Sequence, residues 1–162
     1  MTIRISSFPP VVSPTSEILI LGSVPGVRSL TAQEYYAHPQ NHFWKIVFHL
    51  FGGEFTLNYA QKIDFLTDNK IALWDVIETC ERKGSLDTQI RNEESNDIPA
   101  LLNEFPNIKA VFCNGQKAHK NLLRIIGKDV AIPVHLMPST SPLHTIGFEK
   151  KMEAWALIKK YV

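Results

Sequence analysis

Four short runs of apolar residues, well separated along the chain, constrain the fold more than any other feature. They lie at positions 18–21, 71–74, 110–113 and 132–137, and most of them contain β-branched or aromatic residues. Each run has the length of a β-strand. Three of the four are almost continuously hydrophobic, which is typical of strands that are buried on both faces of a parallel sheet.

The segments between these runs have the spacing of amphipathic helices. We predict helices at positions 43–51, 58–66, 97–105, 116–126 and 148–161. Asn96 is the N-cap candidate of the third helix, and Gly127 is a C-cap signal after the fourth. Strands that alternate with helices favour an α/β domain with a mostly parallel sheet. Because crossovers between parallel strands are right-handed, we expect helices on both faces of that sheet.

Composition is that of a globular protein. The chain has 162 residues, of which 44% are hydrophobic and 20% are charged, and we expect a single domain over residues 1–162. Seventeen Lys and Arg residues oppose 16 Asp and Glu residues, so the net charge is only +1. This balance excludes a polybasic tail but leaves room for a local basic surface. We see no signal-like N-terminus and no apolar run of about 18 residues, so we expect no membrane span.

The two cysteines, Cys80 and Cys113, are too few for an iron–sulfur cluster, which takes about four ligands, and they form no zinc-binding pattern. We expect reduced thiols in a cytoplasmic, monomeric protein. His38 and His42 are four positions apart, like a metal-binding pair on a helix, but Pro39 lies between them. We therefore expect no metal site.

Ligands of open α/β sheets bind at the carboxyl ends of the strands. In this chain the predicted strands run into positions 22–26, Asp75, 114–115 and 138–144, all of which contain small, polar or turn-forming residues. No GxGxxG, GKS, GKT or GxSxG pattern occurs. A dinucleotide site, a P-loop and a serine-hydrolase elbow are therefore not expected.

Two segments have the chemistry of a nucleic-acid site. The Ser-Thr-Ser-Pro sequence at 139–142 offers three hydroxyls beside backbone amides, which suits a phosphodiester, and Leu143 follows as a possible wedge into stacked bases. Segment 30–44 is dense in aromatic, amide and imidazole groups that could enclose a flat heterocycle. Asn41 stands out there because a buried amide needs partners. Ordinary turns and a buried aromatic cluster are the alternative interpretation.

Several stretches together form a recognisable pattern. They are positions 21–26, 29–30, 35–44, 72–76, Arg82, 84–85, Asp87, 96–98, 114–115 and 138–142. In these stretches the chain resembles the uracil-DNA glycosylase superfamily, and most closely its hypoxanthine-DNA glycosylase branch. The resemblance implies a three-layer α/β/α sandwich around a four-stranded parallel sheet of order 2-1-3-4. It also implies a monofunctional DNA glycosylase without metal or organic cofactor. Such an enzyme flips a deaminated base, hypoxanthine or uracil, out of DNA and hydrolyses its N-glycosidic bond in base excision repair.

The resemblance further implies which residues carry the reaction. Many superfamily members have a catalytic Asp or Asn where this chain has Ser23, and a histidine where it has Ser139, so its machinery must differ. In the hypoxanthine branch an asparagine of the tyrosine-rich block takes the central role, which here corresponds to Asn41. The carbonyl of Asn41 would orient a water, and its amide would donate to the base. Asn41 and Ser23 are therefore the catalytic candidates.

The other candidates would bind the substrate. Asp75 would contact the edge of the flipped base, and Leu143 would fill the hole that the base leaves. Phe43, or one of Tyr35 and Tyr36, would stack on the base. The substrate-binding candidates are Gly22, Pro25, Tyr36, Phe43, Asp75, Asn114, Ser139, Thr140, Ser141, Leu143 and His144.

Two other functions remain open from sequence. Ser23, Ser139 and the near-neutral charge are compatible with a non-catalytic module that binds DNA or nucleotides on the same fold. A hydrolase or transferase of free nucleosides is the other, and its activity would depend little on DNA or salt. Genuine duplex binding should weaken as salt rises, because phosphate contacts release counterions.

Overall fold

The computed structural model describes residues 3–127 and 131–162 of the chain. The strands are β1 (Ile3–Ser6), β2 (Ile18–Gly22), β3 (Ile71–Asp75), β4 (Ile77–Arg82), β5 (Arg91–Ser95), β6 (Ala110–Asn114) and β7 (Val134–Met137). The helices are α1 (Val27–Ala32), α2 (Phe43–Leu50), α3 (Tyr59–Asp68), α4 (Ile98–Glu104), α5 (Gln116–Ile126) and α6 (Phe148–Trp155). Two 3₁₀ turns add Asp87–Gln89 and Ala156–Lys160.

The centre of the fold is a four-stranded parallel sheet of order β3-β2-β6-β7. This confirms the predicted order 2-1-3-4. Successive side chains of the buried strand β2 point to opposite faces. Leu19 and Leu21 pack into the core that contains α4 and α5, and Ile18 and Ile20 pack into the core that contains α2, α3 and α6. The predicted three-layer sandwich is therefore confirmed.

A second sheet, which the sequence did not predict, joins β1, β4 and β5 in antiparallel order β1-β4-β5. Its inner residues Ile5, Ile77 and Cys80 pack into the same core as Leu19. Strand β5 is almost entirely exposed and has the sequence RNEES, so it lacks the apolar pattern that marks a strand. This sheet determines where the segment between β4 and β5 lies, next to the carboxyl ends of the parallel strands.

Several helix and strand boundaries differ from those predicted from the sequence. Strand β7 begins at Val134 rather than at position 132, because the carbonyl of Pro133 still accepts a bond from Val111 but proline has no N–H to donate. The last helix ends at Trp155 and continues as a 3₁₀ turn. The predicted N-cap Asn96 is wrong, since Asp97 caps α4 by accepting from the amide of Ala100 at 3.1 Å.

The thiols of Cys80 and Cys113 are both free and fully buried. In the parts of the chain that the structure describes, no helix combines the length and the apolar character needed to cross a bilayer.

Candidate active site

A cavity of about 510 Å³ opens at the carboxyl ends of the parallel strands. This is the place that the strand pattern indicated, and the volume is within the usual range of small-molecule sites. The cavity brings together every predicted site residue except Phe43. Those that line it are Gly22, Ser23, Pro25, Tyr36, Asn41, Asp75, Asn114, Ser139, Thr140, Ser141, Leu143 and His144.

The floor of the cavity is formed where Gly22, Tyr36 and Asp75 meet. A Cβ atom at Gly22 would lie 2.6 Å from Oδ1 of Asp75 and 2.9 Å from the hydroxyl of Tyr36, so only glycine lets the two side chains approach the end of β2. Tyr36 itself has a φ of +53°, in the left-handed region that a bulky residue rarely adopts. Backbone strain of this kind is concentrated at functional sites.

Two polar atoms on this floor are buried without a hydrogen-bond partner among the described residues, the hydroxyl of Tyr36 and Oδ2 of Asp75. Leaving a buried polar group unpaired costs about 1–3 kcal/mol, so folded proteins rarely tolerate it. Both groups line the open cavity. A ligand with its own donors and acceptors would satisfy them.

Burial makes these two groups hold their protons. It raises the pKa of Asp75 to about 7, with a further increase from the nearby Asp87 and an opposing effect of Arg82. Burial, followed by the charge of Asp75, also raises the pKa of Tyr36 above its usual range. Below about pH 7 the floor is therefore neutral and can both donate and accept hydrogen bonds.

Phe43 does not lie where the sequence analysis expected it. Its side chain is fully buried and does not line the cavity. The ring of Tyr36 stacks on it instead, with centroids 4.3 Å apart and planes inclined by 27°. Phe43 belongs to the apolar α2 face that packs against the sheet, so it supports Tyr36 from behind and is not positioned to stack on a base.

The oxygen and the nitrogen of the Asn41 side-chain amide have different hydrogen-bonding surroundings. Its side-chain oxygen accepts from the amide of Phe43 at 2.9 Å and so caps the start of α2, while its backbone amide donates to the carbonyl of His38. No acceptor for its NH₂ group is found among residues 3–127 and 131–162. The geometry therefore favours the donor role over the water-orienting role that the carbonyl was expected to play.

The serine-rich loop is fixed by a reciprocal pair. The amide of Thr140 donates to Oδ1 of Asn114, and Nδ2 of Asn114 donates to the hydroxyl of Thr140, each at 2.9 Å. Thr140 is only 1% exposed, so this pair anchors the loop to the end of β6. Gly115 allows the close packing, because a Cβ there would lie 3.3 Å from Cβ of Ser139.

The two serines of the loop are arranged differently. The hydroxyl of Ser139 accepts from the amide of Ser141 at 3.1 Å, and the hydroxyl of Ser141 accepts from the amide of Leu143 at 3.2 Å. Each hydroxyl uses an oxygen lone pair to hold the loop and keeps its O–H proton for another acceptor. Both are therefore suited to donate to a phosphate oxygen.

A buried lysine that the sequence analysis missed supports the same loop. Lys151 of α6 is fully buried, and its Nζ donates to the carbonyl of Ser141 at 2.9 Å. The amide of His144 donates to that same carbonyl. Helix α6 thus fixes the base of the exposed tip formed by Leu143 and His144. No sequence pattern indicated this contact, because a lysine in an amphipathic helix is usually on the solvent face.

The segment between β4 and β5 forms one wall of the cavity, and its role was not predicted. Two contacts attach it to the chain after β2, from Ser23 Oγ to Asp87 Oδ1 at 2.9 Å and from the amide of Val27, at the start of α1, to Ser85 Oγ at 3.0 Å. Arg82, at the end of β4, adds a third by donating to the carbonyl of Pro25 at 2.6 Å. Arg82 is 1% exposed. The only sequence signal was the pattern of Arg82, Gly84, Ser85 and Asp87, to which no role was assigned.

The rim of the cavity carries exposed apolar side chains. Leu143 is 62% exposed, Val27 is 51% exposed and Leu86 is 49% exposed, and all three line the opening. Leu143 lies at a solvent-facing tip of the serine-rich loop. Among residues 3–127 and 131–162, no three His, Cys, Asp or Glu side chains gather in a way that could hold a metal ion.

Comparison with known proteins agrees with this fold. The family model of the uracil DNA glycosylase superfamily matches residues 9–159. This chain belongs to the uracil DNA glycosylase superfamily. It is 37% identical over 152 residues to a hypoxanthine DNA glycosylase of Methanosarcina barkeri, with 92% of this chain and 94% of the relative covered. It is 34% identical over 157 residues to a hypoxanthine DNA glycosylase of Methanosarcina acetivorans, with 95% and 97% covered.

A solved structure is similar over the same length. The solution NMR structure of a Methanosarcina acetivorans protein, described as a candidate uracil DNA glycosylase, superimposes with a TM-score of 0.82 at 34% identity. The match covers 96% of each chain. The fold and the sequence relationship therefore point to the same family.

Proposed function

We propose that the protein is a monofunctional DNA glycosylase that extrudes a deaminated base, with hypoxanthine as its preferred substrate, and hydrolyses the N-glycosidic bond. The observation that carries this proposal is the cavity floor, where Tyr36 and Asp75 present buried polar atoms that have no hydrogen-bond partner in residues 3–127 and 131–162. An extruded base brings the ring edge that such groups need. The hypoxanthine glycosylases among its relatives support the choice of substrate.

The parts of the cavity correspond to the parts of a flipped nucleotide. The base would lie against Tyr36 and contact Asp75, and stacking of this kind is worth about 1–3 kcal/mol. The free O–H groups of Ser139 and Ser141 would bind flanking phosphates. Leu143 would enter the stack from the exposed tip and fill the space of the extruded base.

The amide of Asn41 would stabilise the reaction itself. Cleavage of the glycosidic bond builds positive charge on the sugar and negative charge on the base. An N–H donor aimed at the developing negative charge lowers the barrier by about 2.7–4 kcal/mol. Asn41 lines the cavity and its side-chain oxygen is held by the Phe43 amide, so the side chain is oriented before substrate binds and its NH₂ group would serve as the donor.

We also propose that the chain acts as a monomer in the cytoplasm, as one domain over residues 1–162. The buried free thiols Cys80 and Cys113 suit a reducing compartment. Both hydrophobic cores pack on the two faces of one sheet, which favours a single cooperative unit. Sedimentation equilibrium of the protein alone tests the monomer, and a dimer mass would contradict it.

One panel of substrates tests the function. Labelled oligonucleotides with hypoxanthine, uracil, xanthine or mismatched thymine, opposite each base and unpaired, are incubated with excess protein and then treated with alkali. We expect cleavage at hypoxanthine first and a rate that falls with rising salt. Binding to DNA without base release would support the non-catalytic module instead. Release of base from free deoxyinosine at the same rate as from DNA would support a nucleoside hydrolase.

A further inference from the structure

Asp87 is a second carboxyl group in the cavity, besides Asp75. It begins the 3₁₀ turn of the wall between β4 and β5, and it lines the same cavity as Asn41 and Asp75. Its Oδ1 accepts from the hydroxyl of Ser23 at 2.9 Å. Building on the proposed glycosylase function, we infer that Asp87 accepts the proton of the attacking water and that Asp75 donates a proton to the departing base.

The two carboxyl groups have opposite environments. Asp75 is 4% exposed, and its Oδ2 is buried without a partner among the described residues, whereas Asp87 is exposed at the opening. Both lie beside the dipeptide Gly22–Ser23, because a Cβ at Gly22 would meet Asp75 and the hydroxyl of Ser23 donates to Asp87. A buried acid and a solvated carboxylate in one cleft are the arrangement that separates acid from base roles.

The charges around the pair favour these roles. Asp75 faces Tyr35, Tyr36, Asp87 and Arg82. Burial first and then the charge of Asp87 raise the pKa of Asp75 to about 7, and Arg82 opposes this increase. The Ser23 hydroxyl donates to one oxygen of Asp87, so the other oxygen remains available to a water molecule. Neither residue has to move to reach the cavity.

The reaction needs only the flipped nucleotide, one water molecule and the two carboxyl groups. The water oxygen forms a bond to C1′, the bond between C1′ and the base nitrogen breaks, and its electron pair stays on the base. One water proton passes to Asp87, and the carboxyl proton of Asp75 passes to the base, so a neutral base and an abasic sugar leave. Exchange with solvent then returns the proton from Asp87 and restores Asp75. General acid–base catalysis of this kind typically contributes about 10²–10⁴ in rate.

Single-turnover excision by the full chain at saturating protein, between pH 5 and 9, tests the inference. We expect Asp87→Asn to lower the rate at pH 7 by roughly 10²–10³-fold with unchanged affinity for the lesion duplex. Ser23→Ala keeps the carboxylate and loses only its anchor, so it should cost at least tenfold less than Asp87→Asn. Asp64→Asn, an equal charge change on the exposed face of α3, should leave the rate within twofold.

The pH profile separates a catalytic role from a structural one. The wild-type rate should fall above about pH 7 as Asp75 loses its proton, and this fall should disappear in Asp75→Asn. In Asp87→Asn the fall should begin at lower pH, because the carboxylate that raises the pKa of Asp75 is gone. A wild-type protein that releases no base from any lesion would overturn the function as well. An active wild type with Asp87→Asn within threefold of it would overturn this inference alone.

Discussion

Asn114 and Thr140 hold each other by two hydrogen bonds of 2.9 Å, one to the backbone and one between side chains. The pair joins the end of β6 to the serine-rich loop, and the carbonyl of Thr140 accepts from the amide of His42 at 3.0 Å. Three separate parts of the cavity, a strand end, the loop and the start of α2, are thus fixed relative to one another. Precision of this kind is what a reacting centre requires.

We predict that Asn114→Ala weakens both folding and excision. The change removes both bonds and leaves the amide of Thr140 without its acceptor, which should cost about 1–3 kcal/mol in the free energy of unfolding. Excision should fall more than tenfold, because the loop loses its anchor. Urea denaturation and single-turnover kinetics measure the two effects. Asn103→Ala, at an exposed position on α4, is the matched control. Equal stability of the two variants would show that the pair does not fix the loop.

Asn41→Ala should lower excision by roughly two to three orders of magnitude, because one oriented donor is worth about 2.7–4 kcal/mol. The substitution also removes the acceptor of the Phe43 amide, so a loss of folded protein would lower the measured rate as well. Asn41→Asp separates the two effects, since a carboxylate still accepts from the Phe43 amide but cannot donate. We expect Asn41→Asp to keep the melting temperature and to lose the activity. An active Asn41→Asp would show that the donor is not needed.

Leu143→Ala should affect duplex substrates more than single strands. The side chain is 62% exposed, so its removal should change stability little. An extruded base leaves a gap only in a duplex, and we expect excision there to fall at least tenfold while the single-strand rate stays within threefold. Leu57→Ala, which shortens a more exposed leucine away from the cavity, is the control. Equal losses on both substrates would assign Leu143 another role.

The buried acid Asp75 should lower stability as pH rises. Its pKa is raised from 3.8 to about 7 in the folded protein, so the folded chain binds more protons than the unfolded chain between these values. The contribution of this group is complete below about pH 4 and is lost as pH rises through 7. Asp75→Asn should therefore gain stability over the wild type by on the order of 2–4 kcal/mol from pH 4 to pH 8. Denaturant titrations at several pH values measure this, and a constant difference would contradict it.

The strand ends were predictable from the sequence because buried parallel strands carry an unmistakable apolar pattern. The cluster of Gly22, Asp75 and Asn114 at one edge followed from that pattern, and the order of the sheet followed from the family resemblance alone. The role of Phe43 did not follow, because the sequence does not show which ring of an aromatic block lies inward. It depends on the left-handed turn at Tyr36, which places one ring on the other.

The wall between β4 and β5 was beyond sequence reasoning for a different reason. Strand β4 pairs with β1, which is far away along the chain, and β5, which pairs only with β4, has no apolar face. Contacts such as that of Arg82 with Pro25 join residues 57 positions apart. Neither periodicity nor local propensity predicts partners at such a separation. The motif residues were visible, but what they touch depends on the tertiary fold.

In the antiparallel hairpin of β4 and β5, the residues that stabilise the fold differ from the residues that contact the cavity. Its strands are held by β1 and the shared core, and its tip reaches the cavity through only a few polar contacts. The tip residues are exposed, so exchanging them should change the free energy of unfolding very little. A swap of positions 83–89 between relatives should therefore act on the rate of excision through position 87, while the scaffold and the base-binding floor of Tyr36 and Asp75 stay the same.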